Sequence, residues 1–119
     1  SLGVKKILVD SDGNTAEICK WLVDVGIDGH YPLEVRADNR PEKLRKMFPN
    51  LALIGGVDKF ELMGDTAAID RELERLMPVV EQGGYIPCMD HKVPPTVSLY
   101  NYQYYIEKKA RMLERFERH

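Results

Sequence analysis

Leu51-Ala52-Leu53-Ile54-Gly55-Gly56 is the run on which the fold turns. It is apolar at every position, so both of its faces require cover, as in a strand buried within a parallel sheet. Short β-type runs lie on either side of it, each joined to a helical pattern. Lys5-Lys6-Ile7-Leu8-Val9 comes first, and Asp12-Gly13-Asn14 after it reads as a turn and helix N-cap. Ile18, Leu22 and Val25 then recur at helical spacing, and Gly26 supplies the stop. A run from about Asp28 to Val35 leads into a short helix opened by Pro41. That helix directs Leu44, Met47 and Phe48 toward a core and ends before Pro49.

Beyond the central run, a helix is predicted from Asp65 or Thr66, with Ile69, Leu73, Leu76 and Val80 along one stripe. Pro78 predicts a kink or break in it before Gly83. The last β-type run is Tyr85-Ile86. Ser98 then caps a helix reaching the C-terminus, with Tyr102, Tyr105, Ile106, Leu113 and Phe116 on its inner side.

Strand alternating with helix gives an α/β fold: a parallel sheet joined by right-handed crossovers. Four such units are too few for a closed barrel, which takes about 250 residues, but they suit half of one. Residues 1–119 therefore read as a single half-barrel unit, (β/α)4. The ends of the four runs carry Asp10 and Asp12, Glu34 and Arg36, Asp58 and Lys59, and Asp90 and His91. In a barrel these all fall on the face where active sites sit.

Composition narrows the partners. With 17 basic and 19 acidic residues, nothing points to nucleic acid or an anionic membrane surface. No apolar run is long enough to span a bilayer and no secretory h-region is present, so a cytoplasmic location is expected. Cys19 and Cys88 lack metal-type spacing; both are expected to be reduced, with Cys19 a packing residue.

The segment Tyr85 to Pro95 places Cys88 and the pair Asp90-His91 between Gly83-Gly84 and Pro94-Pro95. An imidazole beside a carboxylate at a strand end can bind a metal, an acid or a proton, or it can be ordinary loop. His30 could point into a barrel interior and is a reserve ligand, although a lone histidine is more often a satisfied core residue. Trp21 reads as cover on the outside of the barrel. Tyr100, Tyr102, Tyr104 and Tyr105 divide between helix faces, as packing residues do. Glu107-Lys108-Lys109 and the stretch from Arg111 to Arg118 form a solvated helical end.

Three blocks carry a family resemblance: Gly29-His30-Tyr31-Pro32-Leu33-Glu34-Val35, Leu53-Ile54-Gly55-Gly56-Val57-Asp58-Lys59, and Gly83 through His91 to Pro95. In order and spacing the chain resembles the C-terminal half of the uroporphyrinogen decarboxylase superfamily. It is nearest in pattern to the corrinoid-linked coenzyme M methyltransferase-like members. The resemblance implies the last four units of a (β/α)8 TIM barrel, with the N-terminal half absent.

The methyltransferases of that superfamily use zinc, held by a His-x-Cys pair and a late Cys, to activate a thiol. The matching positions here are Asp10-Ser11-Asp12 and His91, so the resemblance implies a divalent metal site of Asp10, Asp12 and His91. Glu34 would be a further ligand or supporting partner. Two carboxylates and an imidazole are harder donors than thiolates and suit zinc or another divalent ion with open positions. On this reading His91, Asp12 and Glu34 carry the chemistry, acting on a small molecule in methyl transfer to or from a corrinoid protein. The competing reading of the same residues has Asp12 as a helix cap, Asp10 as a strand end and His91 bonded to Asp90 or backbone.

Two other functions stay open. One is cofactor-free decarboxylation in porphyrin biosynthesis, which the acidic strand ends disfavour because they repel a polyanion. The other is an isolated half-barrel without activity of its own. A half-barrel standing alone would leave two open edges and one apolar face, so a homo-oligomer is expected.

Overall fold

The computed structural model describes residues 2–117. Four β-strands and four α-helices alternate along the chain: β1 (Leu8–Asp10), α1 (Ala16–Asp24), β2 (Gly29–Leu33), α2 (Pro41–Met47), β3 (Ala52–Val57), α3 (Thr66–Gln82), β4 (Tyr85–Met89) and α4 (Leu99–Glu117). Single 3-10 turns follow β2, at Val35–Ala37, and β3, at Glu61–Met63. Arg118, which the sequence reading assigned to the charged helical end, lies outside the described residues together with His119. No helix among the described residues is long and apolar enough to cross a membrane.

The sheet order is β1-β2-β3-β4, and every neighbouring pair is parallel. Sequential order decides the architecture. A doubly wound sheet reverses its strand order at a switch point, whereas here each right-handed crossover advances one strand in the same direction. The helices therefore collect on one face, and the result is a (β/α)4 half-barrel. On that face Leu33, Leu53 and Val57 are fully buried with Leu44, Ile69, Leu76 and Val79. No residue of β3 is exposed, as its apolar run requires.

Two glycines make β3 possible. Gly56 has φ +79°, and a Cβ there would lie 2.1 Å from Cγ of Pro41, the residue that opens α2. Gly55, at φ +117°, would bring a Cβ within 2.5 Å of the Leu33 backbone nitrogen. Pairing of β2 with β3 is irregular between His30 and Leu33, beside this close approach.

At the N-terminal end of the sheet the buried Arg45 binds backbone carbonyls. Its guanidinium donates to Pro49 and Leu51 at 2.8 Å, Gly84 at 2.7 Å, Gly83 at 3.1 Å and Phe48 at 3.3 Å. Arg75 on α3 donates to both oxygens of Glu42 on α2, to Glu72 and to the Gly56 carbonyl at 2.9 Å. Glu72 in turn accepts the Asp58 N–H at 2.9 Å.

Some helical expectations need correction. α3 runs unbroken through Pro78, which is exposed, while Leu76 and Val79 on either side are fully buried. Burial of those side chains offsets the roughly 3 kcal/mol that an interior proline costs. α1 starts at Ala16 with Thr15 at the N-cap position, one residue later than the Asp12-Gly13-Asn14 reading; Asn14 accepts the Ala16 N–H at 3.2 Å. Its stripe does not face the core, since Ile18 and Val25 are exposed and only Cys19 is buried. Met47 and Ile106 are likewise exposed. Ser98 does cap α4, accepting the Asn101 N–H at 3.1 Å, and the tyrosines divide as expected, Tyr105 buried and Tyr100 exposed.

Gly56→Ala should destabilise the fold by about 3 kcal/mol or more, combining a left-handed alanine with overlap against Pro41. Urea denaturation measures this directly, and a variant as stable as the parent would show that β3 and α2 do not meet there.

Candidate functional site

The C-terminal ends of the strands surround a cavity of about 440 Å³ on the helix-free side of the sheet, lined by Asp10, Asp12, Tyr31, Ile54, Cys88 and His91 among others. The lining residues come from all four strands and the loops that follow β1 and β4, as the active-site face of a barrel requires.

The loop after β1 is fastened by a chain of hydrogen bonds. Gly13, at φ +78°, donates its N–H to Glu34 Oε1 at 3.2 Å. Its carbonyl accepts from Asn39 Nδ2, and Asn39 Oδ1 accepts the Thr15 N–H at 3.2 Å. Asn39 is fully buried, so the turn that carries Asp12 is tied to the segment after β2. Thr15 Oγ1 lies 2.7 Å from His30 Nε2, and His30 Nδ1 lies 3.2 Å from the Val9 carbonyl. A carbonyl only accepts, so Nδ1 carries the proton and Nε2 takes the hydroxyl hydrogen. Both ring nitrogens are engaged, which removes His30 as a reserve ligand.

The loop after β4 is fastened by Asp90. Its fully buried carboxylate accepts the Val35 N–H at Oδ2 and the Lys59 N–H at Oδ1, both at 3.2 Å, while its own N–H donates to the Val57 carbonyl at 2.9 Å. Burial pushes this carboxyl above its ordinary range, and the N–H groups of Lys59 and Val35 pull it back. The Asp90-His91 pair thus divides its work: Asp90 turns into the protein, and His91 is exposed at the cavity.

Asp12, Glu34 and His91 meet. One ligand atom from each lies within 4.8 Å of the other two. Glu34, read from the sequence as a further ligand or supporting partner, stands in this group, whereas Asp10 lines the cavity outside it. Cys88 also lines the cavity, and burial pushes its thiol up. The remaining charged strand ends pair among themselves, Arg36 with Asp58 at 2.8 Å and Lys59 near Asp90 at 4.0 Å. Sequence reasoning missed Asn39 and Thr15, because a loop asparagine and a threonine near a helix start carry no signal of a tertiary partner.

Two outcomes test these supports. Burial lowers the His30 pKa from 6.5, so the unfolded chain takes up a proton that the folded chain refuses. Stability should fall as pH drops below about 6.5, by at most about 1.4 kcal/mol per pH unit, with that component absent in His30→Gln. Denaturation midpoints at pH 7.5 and 5.5 give the comparison. Asp90→Ala should cost about 2–4 kcal/mol, because it leaves the Val35 and Lys59 N–H groups without a partner; a neutral result in urea would refute that role.

No curated protein and no solved structure matches the chain. The family model described as Uroporphyrinogen decarboxylase (URO-D) matches residues 5–111, most of the chain and all four strands. Parallel strands in sequential order, and polar side chains converging at their C-terminal ends, are what that match requires, and the chain belongs to the uroporphyrinogen decarboxylase family.

Proposed function

We propose that Asp12, Glu34 and His91 hold a divalent cation that assists methyl transfer to or from a corrinoid protein. The observation that carries this reading is the approach of three ligand atoms, from the loops after β1, β2 and β4, to within 4.8 Å. Ligand atoms about a tetrahedral zinc ion lie about 3.4 Å apart, given bonds of about 2.1 Å. The cluster is slightly wider. Asp12 and His91 are exposed and Glu34 is half-buried, so their side chains have room to turn toward a common point. Two carboxylates and one imidazole fit zinc or a harder divalent ion and leave a coordination position open.

When bound, such an ion is a Lewis acid able to polarise an oxygen or lower the pKa of an acceptor. The chain's own residues supply the rest. Gly13 N–H orients Glu34, Asn39 fixes the turn bearing Asp12, and Tyr31 and Ile54 give the cavity apolar walls against which a small substrate can lie. The second reading, cofactor-free decarboxylation, fits the description of the family. It sets Asp10, Asp12 and Glu34 against a polycarboxylate substrate, and like charges at that range oppose binding.

Zinc titration of chelator-treated protein by calorimetry tests the proposal. The expected result is about one ion per chain. His91→Ala and Glu34→Gln should weaken it by more than the roughly 10–100-fold that loss of a supporting hydrogen bond costs, and Asp10→Asn should weaken it less. Absence of binding by the unaltered chain would leave cofactor-free chemistry as the better account.

A further inference from the structure

Asp10 and Tyr31 stand side by side at the cavity, on adjacent strands. They are register partners in the parallel pairing of β1 with β2, so their side chains leave the sheet on the same face. Both line the cavity, and Pro32 and Ile54 continue the same wall in apolar character. Among the described residues, Asp10 makes no side-chain hydrogen bond or ion pair. The Tyr31 ring likewise meets neither a cation nor another ring among them.

The charges around the cavity leave Asp10 over. On the reading of Asp12, Glu34 and His91 as a cation site, on which this inference rests, a divalent ion offsets both carboxylates of that group. The imidazole binds a metal in its neutral form and adds no charge. Asp10 lies outside the group and keeps its own charge. Burial holds the His30 pKa below its ordinary value, so that ring supplies no positive charge to Asp10. Lys92, exposed on the loop after β4, also lines the cavity but forms no ion pair with Asp10.

A carboxylate beside an aromatic face suits one kind of group. Neighbouring strands lie about 4.8 Å apart, and a ring attracts a cation within about 6 Å of its centre. An alkylammonium set against Asp10 therefore reaches the Tyr31 ring as well, with its alkyl substituents toward Pro32 and Ile54. An anion at the same place meets Asp10 with like charge. A neutral group uses the ring and leaves the carboxylate without a counter-charge.

We propose that the substrate of this cavity carries an alkylammonium group, held by Asp10 and Tyr31 while the rest of the molecule reaches toward Asp12, Glu34 and His91. Asp10 ends β1 and Asp12 lies two residues on, so neighbouring parts of one segment bind the head group and face the reacting end. Asp10 is thereby a specificity-determining residue of the cavity rather than a ligand of the cation.

Choline and its uncharged isostere 3,3-dimethylbutan-1-ol are the probes, each titrated into the 119-residue chain by ligand-observed NMR, with and without saturating zinc. Zinc uptake is measured beforehand by calorimetry, so failure of the cation site is read apart from failure of this inference. Choline should bind the zinc-loaded chain about tenfold tighter than the alcohol, the ratio expected of an ion pair and a cation–π contact combined. Asp10→Asn, shown folded by circular dichroism, should abolish that preference and leave the alcohol's affinity unchanged. Tyr31→Leu should reduce the preference by about threefold, as loss of a cation–π contact implies. A chain that takes zinc yet binds both probes equally overturns the proposal, as does displacement of choline by zinc or a preference that survives Asp10→Asn. Should the chain take no zinc, the cation site falls. A choline preference that Asp10→Asn abolishes would still support the ammonium site there, and its absence would overturn it.

Discussion

The carboxylate of Asp90 fastens the ends of β2, β3 and β4 to a single point. It accepts the N–H groups of Val35 and Lys59, and its own N–H donates to the Val57 carbonyl. A buried carboxylate is costly unless its oxygens are engaged, and two N–H donors supply charge-assisted bonds that offset the desolvation. The consequence reaches the cavity through the covalent chain. Glu34 immediately precedes one of these contacts and His91 immediately follows Asp90, so two members of the Asp12–Glu34–His91 group are placed by a residue that does not belong to it. The third depends on Asn39 and Gly13. Positions are thereby set by backbone contacts, while the side chains at the cavity keep the freedom to close on a ligand.

Arg45 does the complementary work at the opposite end of the sheet. There the chain presents carbonyls rather than N–H groups, and a guanidinium with five donors gathers them from the segments that lead into β3 and β4. One anion at the C-terminal end and one cation at the N-terminal end therefore hold the loops of both rims. This separates a stabilising face from a face on which polar side chains remain available, the division that barrel folds show generally.

The strands and their order were legible because burial on both faces leaves a run such as Leu51 to Gly56 with one interpretation. Local rules also read Pro41 and Ser98 correctly, since each acts on the turn that contains it. What stayed hidden depended on residues distant in sequence. Pro78 breaks an isolated helix but not one pinned by Leu76 and Val79. The stripe of α1 is a true amphipathic pattern whose apolar side faces outward. The adjacency of Asp90 and His91 suggested a working pair, yet successive residues leaving a strand point in opposite directions. That Glu34 stands within 4.8 Å of Asp12 and His91 was not legible either, because Gly13 reaches across to the end of β2.

The charge at the cavity mouth argues for a cation on physical grounds separate from family likeness. Asp12 and Glu34 bring carboxylate oxygens within 4.8 Å, and Asp10 lies on the same wall. Two negative charges at that range repel by about 1–3 kcal/mol at effective dielectric constants between those of water and a protein surface. Glu34 is held there by Gly13, and the turn that carries the exposed Asp12 is tethered through Asn39. Lys92 also lines the cavity, but as an exposed flexible ammonium it neutralises the group weakly. A divalent ion would convert the repulsion into attraction, and an anionic substrate would add to it. That electrostatic argument, a cation favoured and a polycarboxylate opposed, is the ground on which we propose metal-assisted transfer rather than decarboxylation.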